Sequence, residues 1–188
     1  MAMHTNFPTN PYDILDPQYR WFPADETLRD NSYEKLMPPL VHKIRKKVKE
    51  WRENNYHGAS ETSKSLLNWW FKHEHLITNE NQDLMQFRYY FAQREAVETV
   101  VYLFEVAGVK DKYDLLRYDS SEAVSTGMFD EDWLRLVLKM ATGSGKTKVI
   151  SLIITWCYFH KLYEDNSKLS TNFLLIAPNI IVLDRLRA

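Results

Sequence analysis

Cysteine is almost absent from this sequence, which contains only Cys157. A single thiol cannot close a disulfide within the chain, so a disulfide-stapled scaffold is excluded and a reducing compartment is indicated. Cys157 falls inside an apolar run that predicts a helix, where a cysteine is typically a small core residue. We therefore predict a buried and unreactive thiol.

Long apolar runs are also lacking, since no stretch approaches the ~20 residues of a membrane-spanning helix. The opening residues Met1-Ala2-Met3-His4 lack the apolar segment of a signal peptide. We therefore expect a cytoplasmic protein without a membrane partner. The formal net charge of −1 excludes a polycation, so any contact with nucleic acid must come from local patches.

Glycine is scarce too, and two of the five glycines lie in one short stretch, Met140-Ala141-Thr142-Gly143-Ser144-Gly145-Lys146-Thr147. The apolar segment 134–138 before it is short enough for a buried strand. The mostly apolar run that starts at Val149 is long enough for a helix. Strand, glycine loop and helix together form the context in which a Gly-Lys-Thr triplet binds phosphate.

The chemistry of this stretch suits a nucleotide. Gly143 and Gly145 let the backbone turn tightly and direct successive N–H groups at one anion, and the following helix adds its positive N-terminal dipole. We predict that Lys146 reaches the β- and γ-phosphates and that the Thr147 hydroxyl holds Mg²⁺, as catalytic residues. The predicted ATP-binding residues of the loop are Ala141, Thr142, Gly143, Ser144, Gly145, Lys146 and Thr147. The alternative is an ordinary strand-to-helix turn.

The first 85 residues predict a region without such a motif. Residues 1–39 hold six of the seven prolines and predict an extended arm. Helical spacing predicts one helix from Pro39 to about Asn54 and a second from an N-cap at Ser60 to about His75. Residues 78–85 are polar and predict a linker or helix start. The first helix carries six cations that would track a phosphate backbone or form a solvated face: Lys43, Arg45, Lys46, Lys47, Lys49 and Arg52.

Gln93 follows an aromatic-rich segment, in the run Gln-Arg-Glu-Ala-Val. The apolar spacing after it predicts a helix that ends at Gly108. A glutamine amide can donate and accept at once, which matches N6 and N7 of adenine. Taken alone, Gln93 is only a polar residue on a helix.

The end of the sequence predicts a second strand. Residues 172–177 form an apolar run, and with the glycine loop and its helix they fit a right-handed parallel βαβ unit. Pro178-Asn179 ends this strand, and a further helix would begin at Ile180.

Taken together, these segments resemble superfamily 2 DEAD/DEAH-box helicases of the type III restriction (Res subunit-like) family. The run Ala-Thr-Gly-Ser-Gly-Lys-Thr resembles their motif I, and Gln-Arg-Glu-Ala-Val resembles the start of their ATPase domain. The run Ala177-Pro178-Asn179 with Arg185 resembles their motif Ia. The resemblance implies that Gln93 reads adenine, that ATP is hydrolysed with Mg²⁺, and that Pro178 and Arg185 contact nucleic acid.

The resemblance also sets the expected fold and partners. We expect an α/β chain in which a mainly helical region, residues 1–85, precedes an incomplete RecA-like P-loop parallel sheet in residues 86–188. Because no Walker B carboxylate follows the loop, we expect an N-terminal fragment of a larger ATPase. Expected partners are double-stranded DNA with one strand tracked, a Mod-like methyltransferase subunit, and a second copy paired through an open sheet edge.

Three functions stay open at this point. The preferred one is a nucleic-acid-dependent ATPase or helicase of a restriction-type system. The second is a P-loop phosphotransferase that acts on a small molecule. The third is a non-catalytic DNA-binding or docking module formed by the N-terminal region. The residues do not decide between DNA and RNA, the translocation polarity, or the presence of a nuclease domain.

Overall fold

The computed structural model describes residues 40–78, 82–119 and 136–176, apart from the side chain of His42. The predicted proline-rich arm and the predicted nucleic-acid contacts Pro178 and Arg185 lie outside these ranges. The elements are α1 (Val41–Glu53), α2 (Glu61–Lys72), β1 (His75–Thr78), β2 (Leu84–Phe87), α3 (Phe91–Val101), α4 (Lys112–Leu116) and α5 (Lys146–Tyr163).

The helices α1 and α2 form where the apolar spacing predicts them. Ile44, Val48 and Trp51 lie on one stripe of α1 and are buried. Ser60 caps α2 as predicted, because its side chain accepts a hydrogen bond from the backbone N–H of Ser63 at 3.1 Å. The end of α2 was predicted too late, since the backbone leaves the helix after Lys72.

The predicted polar linker is wrong in part, because its ends belong to a β-hairpin. The strands β1 and β2 pair antiparallel, with His75 opposite Phe87 and Thr78 opposite Leu84. The apolar residues on these strands are mostly exposed and stand next to one another, so the alternation that identifies a half-buried strand is absent from the sequence.

The helix α3 occupies the centre of the described structure and packs against α1, α2 and α5. Val97 and Val101 are fully buried there. After Val101 the helix widens into one π-helical turn, Tyr102–Val106. The helix ends as predicted at Gly108, which has φ +61°, and Val109 N–H bonds back to the Leu103 carbonyl at 2.9 Å.

One hydrophobic core joins four helices. Leu67 and Trp70 from α2, Ala96 and Val97 from α3, and Trp156 from α5 meet in it, together with residues of α1. A smaller cluster packs α4 against α1 and the π-helical turn. The helices of the first 85 residues and those after them therefore share one core, and the division at residue 85 stays a prediction.

The two parallel strands predicted around the loop are not formed in the described residues. Residues 136–140 and 172–176 have no strand pairing, and the side chains of Val137, Leu174 and Ile176 are 84%, 85% and 85% exposed. The described parts of these segments are therefore neither paired nor buried, and the parallel P-loop sheet stays a prediction. The hairpin β1–β2 is the sheet that the described residues contain.

None of the helices in the described ranges is both long and apolar enough to cross a lipid bilayer.

Candidate nucleotide-binding site

The loop 141–145 has the backbone shape that an anion cradle needs. Gly143 has φ +78° and Gly145 has φ +80°, a left-handed conformation that glycine adopts without a steric penalty. Gly145 is the N-cap residue directly before α5. The glycines of the motif therefore stand where the chain turns sharply into the helix.

The first turn of α5 presents its backbone donors to this loop. No side chain of the described residues caps this end of α5, so the first N–H groups of the helix remain available to a ligand. Lys146 and Thr147 are both exposed on that turn. An 18-residue helix that starts with such donors favours a negatively charged group at its N-terminus.

The carbonyl of Ala141 holds the loop in this shape. It accepts hydrogen bonds from the Ser144 hydroxyl at 2.7 Å and from the Lys146 ammonium at 2.8 Å. The backbone N–H of Ser144 also approaches it at 3.4 Å. The ammonium group of Lys146 thus lies against the loop, next to the first N–H groups of α5.

Gln93 joins α3 to this loop across 51 residues of sequence. Its Nε2 donates to the Ser144 carbonyl at 3.1 Å, and its Oε1 accepts from the backbone N–H of Tyr90 at 2.9 Å. The side chain is nearly buried, with 6% exposure. These bonds use one hydrogen and one lone pair of the amide, which leaves one of each for a ligand.

Gly145 is required by this contact as well as by its dihedral angles. A Cβ atom added at Gly145 would overlap with Nε2 of Gln93, whereas a Cβ at Gly143 meets nothing within 4 Å. The two glycines therefore differ. Gly143 is needed because of its left-handed backbone conformation, whereas Gly145 is needed both for its left-handed backbone and because Gln93 leaves no space for a side chain.

A network of buried charges lies on another side of α3. Glu98 is fully buried and accepts hydrogen bonds from Nε of Arg52 at 2.7 Å, Nε of Arg94 at 2.7 Å and the hydroxyl of Tyr56 at 2.7 Å. Burial and the nearby carboxylate raise the pKa of Tyr56 well above its ordinary value, so the phenol stays a donor. This network joins α1, the turn after it and α3.

The network was missed by the sequence analysis, and one signal points to it. Glu95 and Glu98 fall on a helix whose neighbours Ala96, Val97 and Val101 predict a buried position. Charged residues inside such a run need partners of opposite charge. The cations of α1 supply them, but their identity follows from the packing of α1 on α3.

The cations of α1 were predicted to track phosphate or to form a solvated face. Arg45 pairs with Glu95 at 3.1 Å, Lys47 with Glu50 at 2.8 Å and Lys49 with Glu53 at 3.9 Å. Arg52 pairs with Glu98, and Lys43 donates to the Asp119 carbonyl. Most of the positive charge of α1 is thus matched within the protein, which favours the solvated or packed face over phosphate binding.

Cys157 lies half-buried on α5, and burial raises the pKa of its thiol to about 11. The thiol is therefore protonated at neutral pH and is a weak nucleophile. This agrees with the prediction of a core cysteine.

The structure places the predicted ATP-binding residues together where it describes them. Residues 141–147 form one turn into α5, and Gln93 contacts that turn from α3. The roles of Gln93, Lys146 and Thr147 in nucleotide binding stay predictions.

A comparison with protein-family models identifies a known family. Residues 84–188, more than half of the chain, match the model of the type III restriction enzyme, res subunit. No curated protein and no solved structure matches the chain. This family is a helicase-type ATPase family whose members generally use ATP and Mg²⁺. The chain belongs to the family of the type III restriction enzyme, res subunit.

Proposed function

We propose that this chain binds ATP with Mg²⁺ and forms the nucleotide-binding part of a nucleic-acid-dependent ATPase, the translocase of a restriction-type system. The observation that carries the proposal is the loop 141–145, with two left-handed glycines, an uncapped helix behind it and Gln93 bonded to it. An ordinary strand-to-helix turn does not require these three features in combination.

The residues present fit a nucleotide phosphate and its metal ion. The N–H groups of the loop and of the first turn of α5 bind phosphate oxygens. Lys146 exchanges the Ala141 carbonyl for a phosphate oxygen, which is a stronger acceptor because it is charged. The Thr147 hydroxyl supplies an oxygen ligand of the kind that Mg²⁺ prefers. When bound, Mg²⁺ neutralises the charge that develops on the phosphates.

Gln93 has a double role in this proposal. The free hydrogen and lone pair of its amide suit the N6 and N7 edge of adenine. Its hydrogen bond to the Ser144 carbonyl connects the adenine contact to the conformation of the phosphate loop. A base that satisfies Gln93 therefore stabilises the loop in the conformation that binds phosphate.

The partners belong to the proposal as well. We propose duplex DNA, tracked along one strand, as the nucleic acid, with backbone contacts from Pro178 and Arg185. A Mod-like methyltransferase subunit would supply sequence recognition. The exposed apolar side chains of residues 136–138 and 173–176 support pairing with another sheet edge, including that of a second copy. Light scattering that finds only monomer at high protein concentration would remove the second copy.

The test is ATP turnover in the full-length protein, measured with and without duplex DNA. We expect DNA to raise the rate, and we expect Lys146→Ala to abolish it. Turnover that ignores DNA but consumes a small-molecule acceptor would favour a phosphotransferase. No turnover, with DNA affinity retained by the N-terminal region, would favour a docking module.

A further inference from the structure

A second concave site lies beside α3, away from the phosphate loop. It is a cavity of about 370 Å³ between the end of α2, the hairpin β1–β2 and the start of α3. This volume falls in the range of roughly 300–1,000 Å³ of ligand sites. None of its lining residues belongs to the loop 141–147.

The helical geometry of α3 separates the two sites. Phe91 and Arg94 line the cavity, whereas Gln93 faces the loop. Successive residues of an α-helix are rotated by about 100°, so Phe91 and Arg94 lie roughly 160° and 100° away from Gln93 around the helix. The cavity therefore opens on a different side of α3 from the predicted adenine contact.

The walls of the cavity are rich in aromatic rings. Tyr89 is half-buried and forms edge contacts with Phe71 and Phe87, at ring-centroid distances of 5.5 and 4.9 Å. The guanidinium of Arg94 lies 5.5 Å from the centroid of Phe71, and that of Arg52 lies 5.1 Å from the centroid of Phe91. These contacts hold flat surfaces in fixed positions around the cavity.

The charge of the cavity is mostly positive. Lys72, Arg88 and Arg94 contribute three cations to its wall, against the single carboxylate of Glu74. Arg94 shares the single buried carboxylate of Glu98 with Arg52. Lys72 donates at 3.0 Å to the side-chain oxygen of Asn55, which is neutral, so its positive charge is retained at the rim.

We propose that this cavity binds one base of a single-stranded nucleic acid, with the adjoining phosphate held by Lys72. Fixed aromatic rings next to cations are the elements that bind single strands, because a base stacks on a ring while a cation contacts the backbone. A base inside a duplex is stacked on its neighbours and must leave the stack to enter a cavity. The proposal rests on the nucleic-acid partner of the proposed function and adds a contact site outside motif Ia.

The test measures the affinity of the chain for a short labelled oligo-dT by fluorescence anisotropy. Tyr89→Ala removes a ring from the cavity, and Tyr113→Ala removes an exposed ring outside it as the matched control. We expect Tyr89→Ala to weaken binding roughly 5- to 150-fold, the range for one stacked base. Tyr89→Phe keeps the ring and should keep the affinity, and Tyr113→Ala should leave it unchanged.

The salt dependence of oligo-dT binding in a charge variant gives a second test, which does not depend on the aromatic rings. Lys72→Gln should reduce the slope of log affinity against log salt by about 0.7, the value for one phosphate contact on a single strand. Lys168→Gln, an exposed lysine outside the cavity, is its control and should leave the slope unchanged.

ATP affinity measured on the same variants separates this proposal from the function proposed above. Unchanged ATP affinity with weakened oligo-dT binding in Tyr89→Ala supports the cavity as a separate site. The proposal is overturned if Tyr89→Ala and Lys72→Gln both leave oligo-dT binding unchanged. It is also overturned if Tyr89→Ala weakens ATP and not oligo-dT, because the cavity then belongs to the nucleotide site. If the chain binds oligo-dT through the cavity but does not bind ATP, only the proposed function is contradicted.

Discussion

The helix α3 has two sides that differ in how they hold charge. Toward the phosphate loop it presents the neutral amide of Gln93, while Lys146 and Thr147 across from it are exposed. Toward α1 it presents Glu98, fully buried and bonded to two arginines and a tyrosine. The first side leaves donors available to a ligand, whereas the charged groups of the second side bind one another within the protein.

Stability and ligand binding therefore depend on different sides of α3. A buried carboxylate with three donors fixes α1 on α3, because separating the helices would leave the Glu98 charge buried without all of its donors. The loop side is held by single hydrogen bonds, of which the neutral ones are each worth about 0.5–1.5 kcal/mol, and a ligand can replace them. The same helix therefore supports a rigid scaffold and an adjustable site.

The largest effect is expected from breaking the buried side. Glu98→Ala leaves Arg52 and Arg94 without their carboxylate, and removal of one partner from a buried pair costs about 3–5 kcal/mol. Urea unfolding of the variant should show this loss in the free energy of unfolding. The control Glu61→Ala, which breaks the exposed pair with Lys64, should change it by less than about 1 kcal/mol. Similar losses of stability in the two variants would contradict a larger contribution from the buried ion pairs than from the exposed one.

The loop side is tested next by its two glycines. Gly145→Ala places a Cβ against Gln93 and strains a left-handed backbone, whereas Gly143→Ala only strains the backbone. We expect Gly145→Ala to abolish ATP binding and Gly143→Ala to weaken it. Calorimetric titration with ATP measures both, and equal affinities in the two variants would show that the contact with Gln93 is unimportant.

A smaller effect is expected from Gln93→Ala. The variant loses the bonds to Tyr90 and Ser144 and leaves a gap beside the loop, and we expect ATP affinity to fall about tenfold. Gln86→Ala, in β2, is the matched control and should bind ATP normally. If Gln93→Ala also binds ATP normally, the glutamine neither reads the base nor holds the loop.

The smallest effect concerns Cys157, which should react slowly with alkylating reagents at pH 8 because its pKa is raised to about 11. Denaturation should speed the reaction, since a free cysteine has a pKa of about 8.5. The sign for stability follows: the unfolded chain ionises first as pH rises, so the free energy of unfolding contributed by this thiol falls above about pH 8.5. Equal alkylation rates in the folded and denatured chain would contradict its burial.

The features of the fold that could be predicted from the sequence are mostly those that depend on local residue patterns. The stripe of Ile44, Val48 and Trp51, the cap at Ser60 and the stop at Gly108 all follow from neighbours within a few turns. The loop motif likewise indicates its own shape, because glycines at 143 and 145 adopt conformations that other residues avoid. These features depend on short segments, and the structure confirms them.

Features that depend on distant pairing could not be predicted. The network around Glu98 needs α1 to pack on α3, and the bond from Gln93 to Ser144 needs the loop to lie beside α3. The apolar runs at 136–138 and 173–176 predict strands, but a strand forms only where a neighbour completes its hydrogen bonds. The hairpin β1–β2 lacks a strong apolar alternation, so its sequence carries little signal.

Calorimetric titration of the chain with ATP and with GTP in the presence of Mg²⁺, alongside Lys146→Ala, tests whether the loop 141–147 binds a nucleotide. We predict that ATP binds more tightly than GTP, because Gln93 suits the edge of adenine, and that Lys146→Ala loses about 10- to 100-fold in affinity. Equal affinities of Lys146→Ala and the unchanged chain for ATP would contradict the assignment of the loop 141–147 as a nucleotide-binding site.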